Sequence, residues 1–260
     1  MATFLFDKIV FGPVKSRRLG VSLGINLLPV TSKLCNFDCI YCECGLTRDY
    51  EGSPDVIPGR RDVYEALELT LSEMKLTGQA PDVITFAGNG EPTLHPEFSG
   101  IIDDSIKLRN LTFPKAKIAV LSNSTTINNP SVKEALLRVD MNILKLDSAF
   151  ISTIKLHNQP FGNINIEELI NNLAGFNGKL IIQTLFLRGT KNGIVIDNTT
   201  PTEINAWLKA IERIRPSEVM IYTISRDTPE GSNLNKVPLQ ELNKIASKVR
   251  KLGIKTKVSG

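Results

Sequence analysis

The chain has 260 residues, with 31 Lys and Arg against 27 Asp and Glu, two His, four Cys and a net charge of +4. A hydrophobic share of 42% with 22% charged residues excludes wholesale disorder, and no apolar run approaches the ~18–20 residues of a membrane span. All four cysteines fall between positions 35 and 44, which excludes a disulfide framework across a chain of this length.

One domain over 1–260 is expected, with an N-terminal arm at 1–19 and a basic extension at 236–260. The start, MATFLFDKIVFG, has no basic segment ahead of a long apolar stretch, so no secretory signal is expected and a cytoplasmic location is the default. Charge is unevenly placed. Residues 1–34 set Lys8, Lys15, Arg17, Arg18 and Lys33 against Asp7, and residues 236–260 set seven Lys and Arg against Glu241. Two basic ends around an acidic body suit an anionic partner, RNA included, or simply solvated faces.

In chain order, residues 20–28 read as a strand that leads into the cysteines. Residues 62–76 then read as a helix, with Val63, Leu67, Leu71 and Met74 on one stripe and Asp62, Glu65, Glu68 and Glu73 outside it. Strands follow at 82–87, 117–121, 142–146, 179–187 and 218–224, nearly continuous in hydrophobicity, as parallel strands covered by helices are. Helices are expected between them at 97–110, 131–138, 148–156 and 166–176, and another at 239–252. Thr200-Pro201-Thr202-Glu203 matches a capping box with Pro at the first helical position, opening a helix that ends near Arg215. The pattern predicts an α/β fold with a parallel sheet, its chemistry in the loops at the C-terminal strand ends.

The cysteine loop is such a place. It reads Cys35-Asn-Phe-Asp-Cys39-Ile-Tyr-Cys42-Glu-Cys44. Thiolates suit zinc or iron–sulfur clusters. A structural zinc site normally takes two separated pairs of ligands, and here there is no second pair; His95 and His157 are the only histidines. The C-x3-C-x2-C spacing, with Tyr41 before the third Cys, resembles the radical S-adenosylmethionine (SAM) superfamily. That resemblance implies a partial (β/α)6 barrel and a [4Fe-4S] cluster on Cys35, Cys39 and Cys42, whose fourth iron is open to SAM, with Tyr41 beside the adenine. A three-cysteine set leaves one iron vacant, much as catalytic metal sites keep an open position. It also implies a reductant such as flavodoxin or ferredoxin and an oxidoreductase-type reaction begun by hydrogen abstraction.

Other segments agree. Ala87-Gly88-Asn89-Gly90-Glu91-Pro92 resembles the superfamily's GGEP motif, which holds the SAM amino group; glycines admit close backbone approach and a carboxylate suits an ammonium. Asn89 stands at the second glycine position, where Asn tolerates positive φ. Ser122 and Asn123 resemble the Ser/Asn segment that contacts SAM, and also read as a turn or helix cap. Lys145 and Asp147 share a strand face, with Asp147 read as a ribose acceptor and Lys145 as its ion-pair partner or a substrate contact. Gln183 is expected to face the cavity, and Arg188 to meet SAM's carboxylate or an anionic substrate. Tyr222 and Arg226 share a face of the sixth strand. Cys44 is left as a fourth iron ligand, a hydrogen donor or an inert small residue. Arg17 and Arg18 are read as anion-binding forks or as salt-bridge partners that lock the arm.

The segments 11–20 and 23–29 look like those of small radical SAM proteins grouped with wyosine-synthetase-type enzymes, which modify a guanosine in transfer RNA. The archaeal enzymes of that group hold a second cluster on further cysteines, and this sequence has none outside 35–44. The competing expectations are a glycyl-radical-enzyme activase and a non-catalytic metal- or RNA-binding module.

Overall fold

The computed structural model describes residues 4–50, 56–225, 228 and 232–260. In chain order its elements are β1 (Val10–Ser16), β2 (Gly20–Ile25), α1 (Arg60–Thr77), β3 (Val83–Phe86), α2 (Phe98–Thr112), β4 (Lys117–Ser122), α3 (Pro130–Arg138) and β5 (Met141–Lys145). There follow α4 (Ile151–His157), α5 (Ile166–Ala174), β6 (Ile181–Leu185), β7 (Leu187–Lys191), β8 (Ile194–Asp197) and α6 (Pro201–Ile214). β9 (Glu218–Tyr222), β10 (Ser232–Lys236), α7 (Leu239–Lys251) and β11 (Lys255–Ser259) complete the chain.

Eight strands form one sheet in the order β1-β2-β3-β4-β5-β6-β9-β11, and a second sheet runs β10-β7-β8. β1 and β2 are an antiparallel hairpin; from β2 onward each neighbouring pair in the large sheet is parallel. β1 and β11 are the edges, so the sheet is a partial barrel. The expected six parallel strands are all present, and β11 of the basic extension joins them as a seventh.

Side chains alternate across this sheet with period two. One face, including Ile84, Phe86, Ile118, Val120, Leu144, Ile182, Val219 and Ile221, packs into the main core under the helices. α6 contributes Ile204, Trp207, Ala210, Ile211 and Ile214, and α7 contributes Leu242, Ile245, Ala246 and Val249, each a helical stripe. Trp207 is 1% exposed, and its indole N–H donates to the Leu146 carbonyl and to Thr184 Oγ1, both at 3.1 Å. The other face closes the barrel floor with Val83, Ala119, Ile143, Ile181 and Met220. One layer higher on the same face stand Leu121, Lys145 and Gln183, with Leu185 and Tyr222 beyond. Lys145 and Gln183 thus stand above the apolar floor, towards the C-terminal side of the sheet.

Two expectations need correcting. The apolar run at 179–187 is two strands: after Leu185 the chain turns away, the Phe186 N–H donates to the Tyr222 carbonyl at 2.8 Å, and Leu187 onward pairs with β8 and β10. The expected N-terminal arm contains β1, paired with β2 along the sheet edge. No described helix is long and apolar enough to cross a membrane.

Candidate active site

The cysteine loop leaves β2 and is laced on both sides. On one side Leu34 exchanges backbone bonds with the glycine turn: its N–H donates to the Asn89 carbonyl at 2.9 Å, and its carbonyl accepts from Glu91 N–H at 3.1 Å. On the other side Asp38 N–H donates to the Gln159 carbonyl at 3.1 Å, and Ile40 N–H to the His157 carbonyl at 2.9 Å. Inside the loop, Lys33 is 2% exposed, and its ammonium donates to Asp38 Oδ1 at 3.1 Å and to the Gly45 carbonyl at 2.8 Å. Asp38 Oδ1 also accepts from Thr47 N–H at 2.6 Å. One buried ion pair therefore ties residue 33 to residues 45–47 and closes the loop on itself.

The enclosed thiols Cys35, Cys39 and Cys42 line a single cavity of about 170 Å³ at the strand ends. Lys33 lines it too, as do Tyr41, the turn residues Gly88, Gly90 and Glu91, and from the strands Ser122, Asn123, Lys145 and Gln183. The glycines are required there. Gly90 has φ +138°, and a Cβ on it would lie 1.8 Å from the Leu34 carbonyl; Gly88 has φ +147°, and a Cβ would meet Asn26 Oδ1 at 2.5 Å.

Glu91 is 2% exposed and accepts from Asn123 N–H at 2.5 Å and from Thr93 N–H and Oγ1 at 3.1 and 2.5 Å. Burial nevertheless pushes its carboxyl up. Ser122 Oγ accepts from Ser124 N–H at 3.0 Å, and the Asn123 amide donates to Asn36 Oδ1 at 2.6 Å, 3.8 Å from the Cys35 sulfur. Gln183 accepts from Arg18 at 3.0 Å. Burial pushes the Cys35 thiol up to about 12 and raises Cys39 as well. Cys42 moves the other way, down to about 6, chiefly through the neighbouring buried Cys44 thiol and then the Lys33 ammonium. For Lys33, burial works against the charge, but the neighbouring sulfurs of Cys42, Cys35 and Cys39 and then the Asp38 carboxylate outweigh it and hold the ammonium protonated.

These donors fit a polynuclear cluster. Among the described residues no three Cys, His, Asp or Glu side chains converge closely enough to hold a single ion. Three thiols lining one cavity, with no fourth cysteine beside them there, suit a cluster with one open iron. Burial disfavours their anions until a cationic group supplies the missing charge.

Several predicted residues are placed differently. Asp147 lines neither this cavity nor its neighbour. Its Oδ2 accepts from Tyr41 O–H, from Asn158 at 2.9 Å and from Lys145 at 3.3 Å, and its Oδ1 from Leu185 N–H at 2.9 Å. A carboxylate so saturated is an anchor for Tyr41 and Lys145 rather than a ribose acceptor. Lys145 pairs with Asp147, one of the two roles expected of it, and it also lines the cavity. The Asn89 side chain points away, accepting from Phe6 N–H at 2.8 Å and donating to the Phe6 and Pro29 carbonyls at 2.9 and 2.8 Å, so it pins the N-terminal segment. Its φ is not positive, so side-chain bonding explains the Asn here.

Arg188 is not at the site. It lies on β7, where the chain has left the barrel, and bonds Glu241 Oε2 at 2.7 Å and Thr199 Oγ1 at 2.5 Å, with Asp197 at 3.8 Å. Tyr222 and Cys44 line an adjoining recess instead of the thiol cavity, with the Cys44 S–H donating to the Gly88 carbonyl at 3.5 Å. Arg226 lies outside the described residues. Sequence reading missed Lys33, Asp38 and Asn158, whose amide reaches Cys39 Sγ at 3.4 Å and Tyr41 Oη at 2.9 Å. Asn158 carries no sequence signal, because its loop partners Cys39 and Tyr41 lie more than a hundred positions away.

No family model matches this chain. Comparison with curated proteins is more informative. A UPF0026 protein of Helicobacter pylori is 31% identical over 244 residues, covering 92% of this chain and 72% of that protein. A UPF0026 protein of Synechocystis is 31% identical over 225 residues, covering 85% of this chain and 77% of that one. The chain belongs to the UPF0026 family. A protein of Brachyspira hyodysenteriae named GTPase Obg is 30% identical over 228 residues, but this chain spans only 31% of its length.

Solved structures place the UPF0026 chain by fold. A radical SAM methyltransferase from Sphaerobacter thermophilus superposes with a TM-score of 0.65 at 12% identity, covering 92% of this chain and 65% of that one. Streptococcus suis SuiB bound to S-adenosylmethionine gives 0.58 at 14%, over 88% and 46%. Archaeal TYW1 gives 0.54 at 14%, over 88% and 71%. The fold is the partial barrel of the radical SAM enzymes.

Proposed function

We propose that this chain is a radical SAM enzyme with one [4Fe-4S] cluster held by Cys35, Cys39 and Cys42. The observation that carries the reading is the convergence of three spaced thiols, the Gly88–Glu91 turn and the polar layer of β5 and β6 on one cavity at the C-terminal strand ends. When bound, the cluster and SAM supply reductive cleavage of the sulfonium and a 5′-deoxyadenosyl radical that takes hydrogen from a substrate. Electrons come from a small reductant of the flavodoxin or ferredoxin kind.

The chain's own residues do the holding. Lys33 and Asp38 fix the loop so that the three thiols face one space. Gly88 and Gly90, lacking Cβ atoms, let the turn pack against Asn26 and the Leu34 carbonyl and so lie along the cavity, and Glu91 gives a ligand's ammonium a buried carboxylate. The Lys145 ammonium and the Gln183 amide present the opposite polarity across the cavity, suited to a carboxylate or to hydroxyls. Tyr41, held by Asp147 and Asn158, forms the wall between the cavity and the recess beside it.

Anaerobic reconstitution tests this. Wild-type protein is expected to bind about four iron and four sulfide per chain and, once reduced, to release 5′-deoxyadenosine from SAM. Cys39→Ala is expected to lose both. A wild type without a four-iron cluster, or SAM cleavage unchanged in Cys39→Ala, would overturn the reading.

A further inference from the structure

A second recess, of about 330 Å³, adjoins the thiol cavity and shares Tyr41, Cys42 and Gly88 with it. A molecule seated there would face whatever occupies the cavity across a single wall. The recess is built differently from its neighbour. Phe4, Phe6, Leu185 and Ile224 give it apolar sides, and its charged lining is Arg17 and Arg18 against Glu43.

The arginines are held in place by hydrogen bonds and, for Arg18, by stacking on a ring. Arg17 donates to the Gly260 carbonyl at 2.6 Å and to Ser225 Oγ at 2.7 Å. Arg18 donates to Gln183 Oε1 at 3.0 Å, and its guanidinium lies 4.3 Å above the Tyr222 ring. Stacking and hydrogen bonds fix a guanidinium plane, and each fork keeps further N–H donors. Arg17 is exposed and Arg18 half-buried, whereas the buried ammoniums nearby are matched, Lys33 by Asp38 and Lys145 by Asp147. Two oriented guanidiniums side by side in a half-apolar recess, neither paired with an Asp or Glu side chain among the described residues, are an arrangement that takes an oxyanion bidentately.

We propose that this recess binds the substrate through an oxyanion, carboxylate or phosphate, seated on Arg17 and Arg18, with an apolar or aromatic body against Phe4, Phe6 and Ile224. The word substrate rests on the radical SAM reading; the anion site itself rests on the recess. The carbon that loses hydrogen is then the part of the molecule turned to the Tyr41–Gly88 wall.

The test uses the anaerobically reconstituted full chain, with iron counted in parallel, and titrates benzoate, phenyl phosphate and neutral benzyl alcohol by calorimetry at low ionic strength. At least one anion is expected to bind tenfold or more tightly than benzyl alcohol, and the better of the two identifies the oxyanion. Arg17→Gln and Arg18→Gln are each expected to weaken that anion about tenfold while leaving benzyl alcohol binding within twofold; Arg18→Lys recovers part of the loss. On wild-type protein, which needs no variant to fold, the same anion is expected to protect Arg17 and Arg18 from phenylglyoxal, read by mass spectrometry. Equal binding of the neutral probe, unchanged anion affinity in both Gln variants, or labelling unaffected by anion would overturn the proposal. A wild type that assembles no cluster overturns the earlier reading instead, and the iron count tells the two failures apart.

Discussion

Lys33 illustrates how much of this site rests on single buried charges. Its side chain is 1% exposed and that of its partner Asp38 7%, and between them they bond residues 45 and 47. Removing one partner of a buried pair strands the other, which costs about 3–5 kcal/mol, whereas removing both costs far less. Lys33→Met is therefore expected to lower stability by that amount in urea denaturation, and Lys33→Met combined with Asp38→Asn to recover most of it. His157 makes the opposite case. It is 1% exposed with neither ring nitrogen hydrogen-bonded, and burial lowers its pKa from 6.5 to about 4. A base with a depressed folded pKa contributes stability in full above pH 6.5 and loses it as pH falls towards 4. One proton's linkage over that window is worth about 3 kcal/mol. Denaturation at pH 7 and pH 4.5 is expected to show a larger loss in wild type than in His157→Gln.

At the scale of elements, two glycines with positive φ separate strain from contact. At Gly90 an added methyl collides with the Leu34 carbonyl, the link between the turn and the cysteine loop. At Gly193, in the two-residue turn between β7 and β8, φ is +76° and nothing lies within 4 Å. Gly193→Ala is expected to cost about 1–2 kcal/mol, the price of a left-handed L-residue, and Gly90→Ala more than about 3 kcal/mol, both by denaturation. That β7–β8 turn was legible and was missed. Asn192 and Gly193 both have positive φ, as a type I′ hairpin turn requires, and Asn-Gly is its strongest sequence signal. The start of α6 was read in the sequence, but only half of it behaves as a capping box. Thr200 accepts from Glu203 N–H at 3.3 Å, while the Glu203 carboxylate turns to Ser148 and Thr153 at 2.6 and 2.5 Å. A tertiary partner outbid the local one.

For the whole molecule, the two basic ends meet each other. Arg17 reaches Gly260, and the Lys257 ammonium reaches the Arg18 carbonyl, across the gap between the edges of the sheet. Charge counting along the sequence finds both clusters but not their meeting, since the strand order that puts β1 and β11 on opposite edges of a curled sheet is a property of the fold. The sequence by itself determined the parallel βα frame, because continuous apolar strands alternating with striped helices have few other ways to bury themselves. It also determined the three thiols, the glycine turn, and Lys145 and Gln183 as cavity-facing polar residues, because fixed spacing and period-two alternation are local properties. Only the tertiary structure decided which side chains are left unspent. Asp147, Asn89 and Arg188 look like ligand contacts in the sequence, but residues distant in the chain satisfy them. Lys33 and the Arg17–Arg18 pair acquire their roles for the same physical reason: a polar group's availability depends on neighbours that only folding supplies.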